Sequence, residues 1–349
     1  MSSKKSVSLN FLIFVVALII TLFVIEFILR TIDFPKGAAA IRMYYWNYKG
    51  QYLDLTPGFR GKAYNTDCSI NKYGMRNVDF PLKKPRGTIR ILGLGDSWTF
   101  GMWVKEKNAY LRKLESILRR ENPAQSMHVI NAGICSLNPE QTVKLVIDKK
   151  LMKFSPDIVM INIGPYCAES GIPDSIFRKN RFLVRAKEIY SDYFPYTYSF
   201  IKLRLERTRK FRLIKDDVSK EVSLDLLKQA YMKKLYKDDN PDLRRLEQAI
   251  KDLDAIVREN NSRLIVLILP ILEDLKDYKY KYAHKKISLF CRQNDIRYID
   301  FLPEFLGKDE RELWASEDDH HPNKFGHQII AEALYEFLIS DNIGLLVKN

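Results

Sequence analysis

The sequence has few of the residues that hold metal ions or build disulfide frameworks. It contains only four cysteines and five histidines among 349 residues, and it has neither a short CxxC pair nor a helix-borne pair of zinc ligands. Three of the histidines, His320, His321 and His327, lie close together, but no second group of ligands accompanies them. We therefore expect no metal ion and no cofactor, and we expect separate buried thiols rather than structural disulfides.

The common nucleic-acid-binding motifs, internal repeats and low-complexity segments are also missing. The formal net charge is +14, from 57 lysines and arginines against 43 acids, and the basic residues are spread along the chain. Such a distribution is typical of a lysine-rich solvated surface. The excess positive charge favours anionic lipid headgroups or an acidic polymer over nucleic acid as a partner, and no nucleic-acid partner is expected.

A long apolar run near the N-terminus is the first feature that is present. Residues 9–29 are almost wholly apolar, and about 20 such residues span a bilayer. A cleavable signal peptide is the competing interpretation, with residues 38–40 as a small-residue cleavage site. The apolar run is longer than the core of a usual signal peptide and ends well before that site. The pattern therefore predicts a short N-terminal tail and an uncleaved transmembrane anchor within residues 1–35; that the tail is cytoplasmic is implied only by the family resemblance described below.

Apolar runs and amphipathic stretches alternate through the rest of the chain. The run 89–94 predicts a short buried strand, and a helix with an apolar face follows it. A further strand precedes Asn131, and apolar runs at 158–163, 263–269 and 296–301 complete the set. Helical patterns lie between these strands, and this alternation is typical of a parallel, doubly wound sheet.

The first candidate catalytic motif follows the strand at 89–94. It reads Gly95-Asp96-Ser97-Trp98-Thr99-Phe100-Gly101 and places Ser97 on a strand-to-helix turn. Ligands of doubly wound sheets bind at the carboxyl ends of the strands. Ser97 is therefore a candidate nucleophile, provided that a base reaches its hydroxyl.

The second motif offers that base more than two hundred residues later. It reads Asp318-Asp319-His320-His321-Pro322-Asn323, and Asn323 is a good N-cap for the amphipathic helix that follows. A base just before a rigid helix can be aimed at the serine. Asp318, three residues before His321, is predicted to accept a hydrogen bond from its Nδ1 and to leave Nε2 for Ser97. Asp319 is the alternative partner.

These motifs resemble the SGNH (GDSL) hydrolase superfamily, and more closely its membrane-anchored bacterial branch. Residues 71–76, Asn-Lys-Tyr-Gly-Met-Arg, are similar to an element that precedes the GDS strand in that branch, and Asn131-Ala132-Gly133 is similar to its second block. The resemblance implies a three-layer α/β/α sandwich with a parallel five-stranded, flavodoxin-like sheet. It also implies Ser97 as nucleophile, His321 as base and Asp318 as the residue that orients the base.

One block departs from the family pattern. Where the family shows G-x-N-D, this chain reads Gly164-Pro165-Tyr166-Cys167. The missing asparagine would donate to the oxyanion hole beside the backbone N–H groups of Ser97 and Gly133. Losing one such donor typically costs about 3 kcal/mol of transition-state stabilisation. The Tyr166 hydroxyl could replace it, or Asn162 could if the register of its strand shifts.

The remaining segments complete the predicted organisation. Residues 36–86 form a stalk and lead-in segment, and residues 87–345 form the hydrolase-like domain with an insertion at about 168–239. The insertion carries an aromatic run at 190–200 and a basic run at 202–215. It is either a lid or glycan-stacking wall above the site, or an ordinary helical excursion packed on the domain.

Three functions remain open. The first is a membrane-anchored serine esterase or deacylase that works through an acyl-serine on an acylated carbohydrate or cell-envelope polymer. The second is an O-acyltransferase that passes the acyl group to a sugar hydroxyl of a polysaccharide. The third is a non-catalytic membrane-tethered binding or assembly module, which the departure at Tyr166 favours. The resemblance implies the first, with residues 9–29 in the membrane and the catalytic domain outside the cytoplasm.

Overall fold

A computed structural model of the protein divides the chain into two compact units. One comprises Met1–Tyr44, Gly61–Asn65 and Asp174–Glu221, and the other comprises Tyr45–Arg60, Thr66–Pro173 and Val222–Asn349. The central sheet and the candidate site belong to the second unit. The residues that the structure describes are 2–31, 43–47, 52–168, 197, 224–317 and 319–340.

Strands and helices alternate along most of the described chain. The strands are β1 Tyr44–Trp46, β2 Leu53–Leu55, β3 Arg60–Ala63, β4 Thr66–Ser69, β5 Thr88–Leu94, β6 Ser126–Asn131, β7 Ile158–Ile163, β8 Arg263–Ile268, β9 Arg297–Asp300, β10 Trp314–Ser316 and β11 Asp319–Pro322. The helices are α1 Ser2–Thr31, α2 Ser97–Phe100, α3 Tyr110–Glu121, α4 Pro139–Asp148, α5 Leu224–Leu235, α6 Pro241–Glu259, α7 Lys281–Gln293, α8 Leu302–Phe305 and α9 Lys324–Ser340. Short 3-10 turns cover Glu106–Asn108, Leu151–Phe154, Pro165–Ala168 and Glu310–Glu312.

A five-stranded parallel sheet in the order β6-β5-β7-β8-β9 forms the core. Strands β5 and β7 are buried along their whole length, because helices cover both faces of the sheet and leave no solvated side. The strand order reverses at β5, since β6 lies on one side and β7 on the other. The carboxyl end of β5 is therefore the switch point at which such sheets bind ligands.

Helices pack on the sheet through apolar stripes. Helix α3 lies against β6 and α9, α6 lies against β8 and α4, and α7 lies against β8 and β9. In α3 the buried stripe consists of Leu111, Leu114, Ile117 and Leu118, at the spacing that the sequence predicted. The expected α/β fold with a five-stranded parallel sheet is confirmed.

The N-terminal helix α1 contains the predicted apolar run. Its segment Ile13–Thr31 has 19 residues and a mean hydropathy of 2.7, which by length and composition is enough to cross a membrane. A signal sequence or a buried core helix meets the same criterion. Most of the predicted insertion at about 168–239, including its basic run, lies outside the described residues. Its C-terminal part contains α5. All four cysteines are free thiols.

Candidate active site

Ser97 is the first residue of α2 and comes just after the central strand β5. Asp96 caps this short helix, because its Oδ1 accepts a hydrogen bond from the Trp98 N–H at 2.9 Å. Gly95 has a φ of +140°, and a Cβ at this position would overlap the Asn162 amide oxygen. The turn therefore requires glycine, and it presents Ser97 at the switch point of the sheet.

The structure brings Ser97 and His321 together from opposite ends of the domain. Ser97 Oγ lies 2.7 Å from His321 Nε2. His321 is held by β11, which pairs antiparallel with β10. On the other side, Asn323 caps α9 by accepting a hydrogen bond from the Phe325 N–H at 2.8 Å. Both flanks of His321 are thus fixed by secondary structure, so the ring has a defined direction toward the serine.

Asp319 is the carboxylate that contacts His321. The His321 Nδ1–H donates to Asp319 Oδ1 at 2.5 Å, and the His321 backbone N–H donates to the same oxygen at 3.0 Å. Residues two apart share a face of an extended strand, whereas residues three apart do not. This geometry gives the Nδ1 contact to Asp319, the alternative partner, and the role of Asp318 stays a prediction. Asp318 itself lies outside the described residues.

Trp103 completes the environment of the Asp319 carboxylate. Its Nε1–H donates to Asp319 Oδ2 at 2.8 Å. Burial raises the pKa of Asp319, but the hydrogen bonds from His321 and Trp103 outweigh it and hold the pKa below its ordinary value. An ionised Asp319 can stabilise a positive charge on His321. No motif pointed to Trp103, because it lies more than two hundred residues from its partner in the chain.

A buried polar network lies beneath Ser97. The Asn162 Nδ2–H donates to Asp96 Oδ1 at 2.9 Å, while Asn162 Oδ1 accepts from the Asp96 N–H at 3.1 Å and from Thr99 Oγ1 at 2.7 Å. Burial raises the pKa of Asp96, although its hydrogen bonds oppose that shift. Asn162 therefore holds the turn beneath Ser97, and the suggestion that its amide serves the oxyanion hole stays a prediction.

The two predicted backbone donors of the oxyanion hole differ. Ser97 is the first residue of α2, so its N–H has no acceptor within the helix. The Gly133 N–H instead donates to Asn131 Oδ1 at 3.0 Å, because the asparagine side chain folds over the turn two residues ahead. The Gly133 N–H is thus paired within the protein, and its part in an oxyanion hole stays a prediction. Its lack of a side chain serves close packing, since a Cβ would overlap the Phe100 backbone nitrogen.

Tyr166 lies in the 3-10 turn that follows β7 and is next to a cluster of charged side chains. Its side chain is 36% exposed, and Lys228 Nζ lies 5.4 Å from the centre of its ring. Lys228 pairs with Glu273 Oε2, and Glu273 Oε1 lies 3.2 Å from His320 Nδ1. Burial lowers the pKa of Lys228, but hydrogen bonds with Glu273 and Tyr166 raise it above its ordinary value. Sequence reasoning missed Lys228 and Glu273, because neither belongs to a motif.

One cavity of about 460 Å³ joins these groups. Ser97 and His321 line it together with Tyr166, Glu273 and His320, and the apolar segment 269–272 forms another part of the wall. Volumes of this size are typical of small-molecule sites. The cavity therefore offers a serine hydroxyl, an imidazole ring, a polar wall and an apolar wall to one bound molecule.

Comparison with known proteins gives a family match. The GDSL-like Lipase/Acylhydrolase family matches residues 94–329. No curated protein matches the chain. One similar solved structure is a catalytic mutant of the acetylxylan esterase Axe2 from Geobacillus stearothermophilus, with 16% identity, coverage of 71% of this chain and 93% of that chain, and a TM-score of 0.41. A second is a two-domain esterase, CEX, active on acetylated mannans and co-crystallised with mannopentaose, with 16% identity, coverage of 73% of this chain and 50% of that chain, and a TM-score of 0.41. A third is the α/β hydrolase LAE5 from the metagenome of Lake Arreo, Spain, with 15% identity, coverage of 74% of this chain and 96% of that chain, and a TM-score of 0.41.

Proposed function

The chain belongs to the GDSL-like lipase/acylhydrolase family, and from this membership we propose that it is a serine esterase with Ser97 as nucleophile. The observation that carries the proposal is the continuous chain of contacts from Ser97 Oγ to His321 Nε2 at 2.7 Å and from His321 Nδ1 to Asp319 Oδ1 at 2.5 Å. This is the arrangement in which a base activates a hydroxyl and a carboxylate orients the base. His321 is then the general base and Asp319 its orienting residue.

The reaction follows from these contacts. Ser97 Oγ attacks the ester carbonyl carbon while its proton passes to His321 Nε2. Asp319 stabilises the positive charge on the ring. When the tetrahedral intermediate collapses, the carbon–oxygen bond to the alcohol breaks and His321 gives its proton to the leaving oxygen. Water then repeats the sequence on the acyl-serine and releases the acid.

The oxyanion hole of this enzyme uses the Ser97 N–H and the Tyr166 hydroxyl. Ser97 and Tyr166 both line the cavity into which the serine opens. The position of Tyr166 after β7 is the one from which the family asparagine would donate. A phenolic hydroxyl is a competent donor at such a site.

The protein is anchored by α1, with the catalytic domain, residues 87–345, outside the cytoplasm, and its substrate is an acylated carbohydrate or envelope polymer. The length and hydropathy of Ile13–Thr31 support the anchor, and the polar wall of the cavity supports the substrate class. Intact-mass measurement of the purified protein tests whether the N-terminus is retained. Protease added to sealed spheroplasts tests the topology, and a domain protected from that protease would lie on the cytoplasmic side.

A fluorophosphonate probe tests the nucleophile directly, because it labels only activated serines. The full-length protein in detergent should be labelled and should hydrolyse p-nitrophenyl acetate. Ser97→Ala should lose both properties, whereas Ser116→Ala, which removes an exposed hydroxyl from α3, should keep them. Labelling that persists in Ser97→Ala would reject the assignment.

A further inference from the structure

His320 and His321 are neighbours on β11 and line the same cavity, yet only His321 contacts Ser97. Resting on the proposed esterase function, we infer that His320 and Glu273 form the subsite for the alcohol part of the ester, and that they select hydroxyl-rich, carbohydrate-like alcohols over alkyl alcohols. The inference depends on how firmly the two side chains are held and on which hydrogen-bonding groups they offer.

His320 is fixed in the cavity wall. Its ring stacks on Trp314 with centroids 3.8 Å apart and an interplanar angle of 8°. Its Nδ1 lies 3.2 Å from Glu273 Oε1, and an ionised carboxylate can only accept, so Nδ1 carries the proton. A neutral His320 ring therefore keeps Nε2 as an acceptor. The side chain is 38% exposed, which leaves it accessible to a ligand.

Glu273 is held equally firmly. It lies on the loop after β8, where the Ile271 N–H donates to Tyr278 Oη at 3.0 Å and Trp314 Nε1–H donates to the Leu272 carbonyl at 2.6 Å. Tyr278 Oη in turn lies 3.1 Å from Nε2 of the buried His284. The loop thus has two anchors directly before Glu273. Trp314 serves both partners, because it stacks on His320 and fixes the loop that carries Glu273.

The groups on this wall fit a polyol. Each carboxylate oxygen of Glu273 has a second lone pair beyond its bonds to His320 and Lys228, and His320 Nε2 and the Tyr166 hydroxyl add further capacity. A sugar hydroxyl can donate to one of these groups and accept from another. An alkyl alcohol would displace water from these groups and would form no hydrogen bonds with them, so its ester should bind more weakly.

The test compares two acetate esters that differ only in the alcohol: an acetylated xylo-oligosaccharide and hexyl acetate. The measured quantity is the ratio of kcat/KM for the sugar ester to that for hexyl acetate. His320→Phe keeps the stacking on Trp314 and removes both ring nitrogens, and Glu273→Gln removes the charge. Each variant should lower the ratio at least tenfold, mainly through a higher KM for the sugar ester, because alcohol recognition is the same in the ground and transition states.

Glu304→Gln, at an exposed glutamate outside the cavity, is the matched control and should keep the wild-type ratio. A ratio within twofold of wild type in both His320→Phe and Glu273→Gln would overturn the inference while leaving the esterase proposal intact. A wild-type preference for hexyl acetate would overturn it too. Failure of the wild type to hydrolyse any ester or to react with the fluorophosphonate would reject both proposals together.

Discussion

Replacing Asp319 by asparagine tests whether the contact in the structure, rather than the spacing of the motif, identifies the carboxylate that serves His321. Asp319 Oδ1 accepts both from the ring and from the backbone of His321, and its Oδ2 accepts from Trp103. Asparagine keeps the size of the side chain and removes the charge. It can also turn its amide N–H toward Nδ1, which favours the tautomer that cannot accept the serine proton.

The size of the effect follows from the charge that His321 gains during the reaction. Two opposite unit charges about 4 Å apart attract by roughly 4 kcal/mol at an effective dielectric constant of about 20. The Asp319 side chain is 24% exposed, and solvent reduces that value. A loss of roughly 3–4 kcal/mol corresponds to a kcat about 100- to 1000-fold lower.

The assay is steady-state hydrolysis of p-nitrophenyl acetate by the full-length protein in detergent. Asp319→Asn should lower kcat by that factor with little change in KM, since the charge matters chiefly after proton transfer. Asp318→Asn is the control and should stay within about threefold of wild type. If Asp318→Asn is the more damaging of the two, the contact assigned to Asp319 is wrong and the motif spacing was the better guide.

The other predictions concern the oxyanion donor, the turn after the nucleophile and a buried histidine. Tyr166→Phe should reduce kcat by roughly 10- to 1000-fold with little change in KM, and an unchanged kcat would remove Tyr166 from the oxyanion hole. Arg76→Met should lower the free energy of unfolding by about 3–5 kcal/mol in urea denaturation, because the buried guanidinium donates to three carbonyls of the segment after Ser97. The control Arg86→Met, at an exposed position, should change that free energy by less than about 0.5 kcal/mol. Burial, aided by the Arg76 and Lys113 charges, lowers the pKa of His327 from 6.5 to about 3, so the unfolded chain takes up this proton first as the pH falls. This histidine should therefore reduce stability by about 1.4 kcal/mol per pH unit between pH 6.5 and 3, and His327→Asn should show a slope smaller by that amount; equal slopes would contradict the assignment.

The sequence by itself determined the fold class and the place of Ser97 in it. Apolar runs long enough for a strand and too short for a helix predicted β5, β7 and β8, because strands covered on both faces bury every side chain. The Gly95-Asp96-Ser97 turn follows from local chemistry as well: glycine allows the backbone to turn and aspartate caps the helix. Asn323 marked the start of α9 for the same reason. These features depend on residues that are close in the chain.

Only the tertiary structure decided which groups meet. The pairing of β11 with β10 makes the chain around His321 extended, so Asp319 and the His321 ring lie on the same face of the strand. A tight turn would instead have favoured Asp318. The Gly133 N–H and the Asn162 amide are occupied by Asn131 and by the Asp96 turn, and hydrogen-bond competition of this kind leaves no trace in a motif. The pair of His320 and Glu273 likewise depends on strand β11 and the loop after β8, which the fold brings together. Side-chain contacts between distant segments are fixed by packing, whereas strand and turn propensities are fixed by neighbours in the chain.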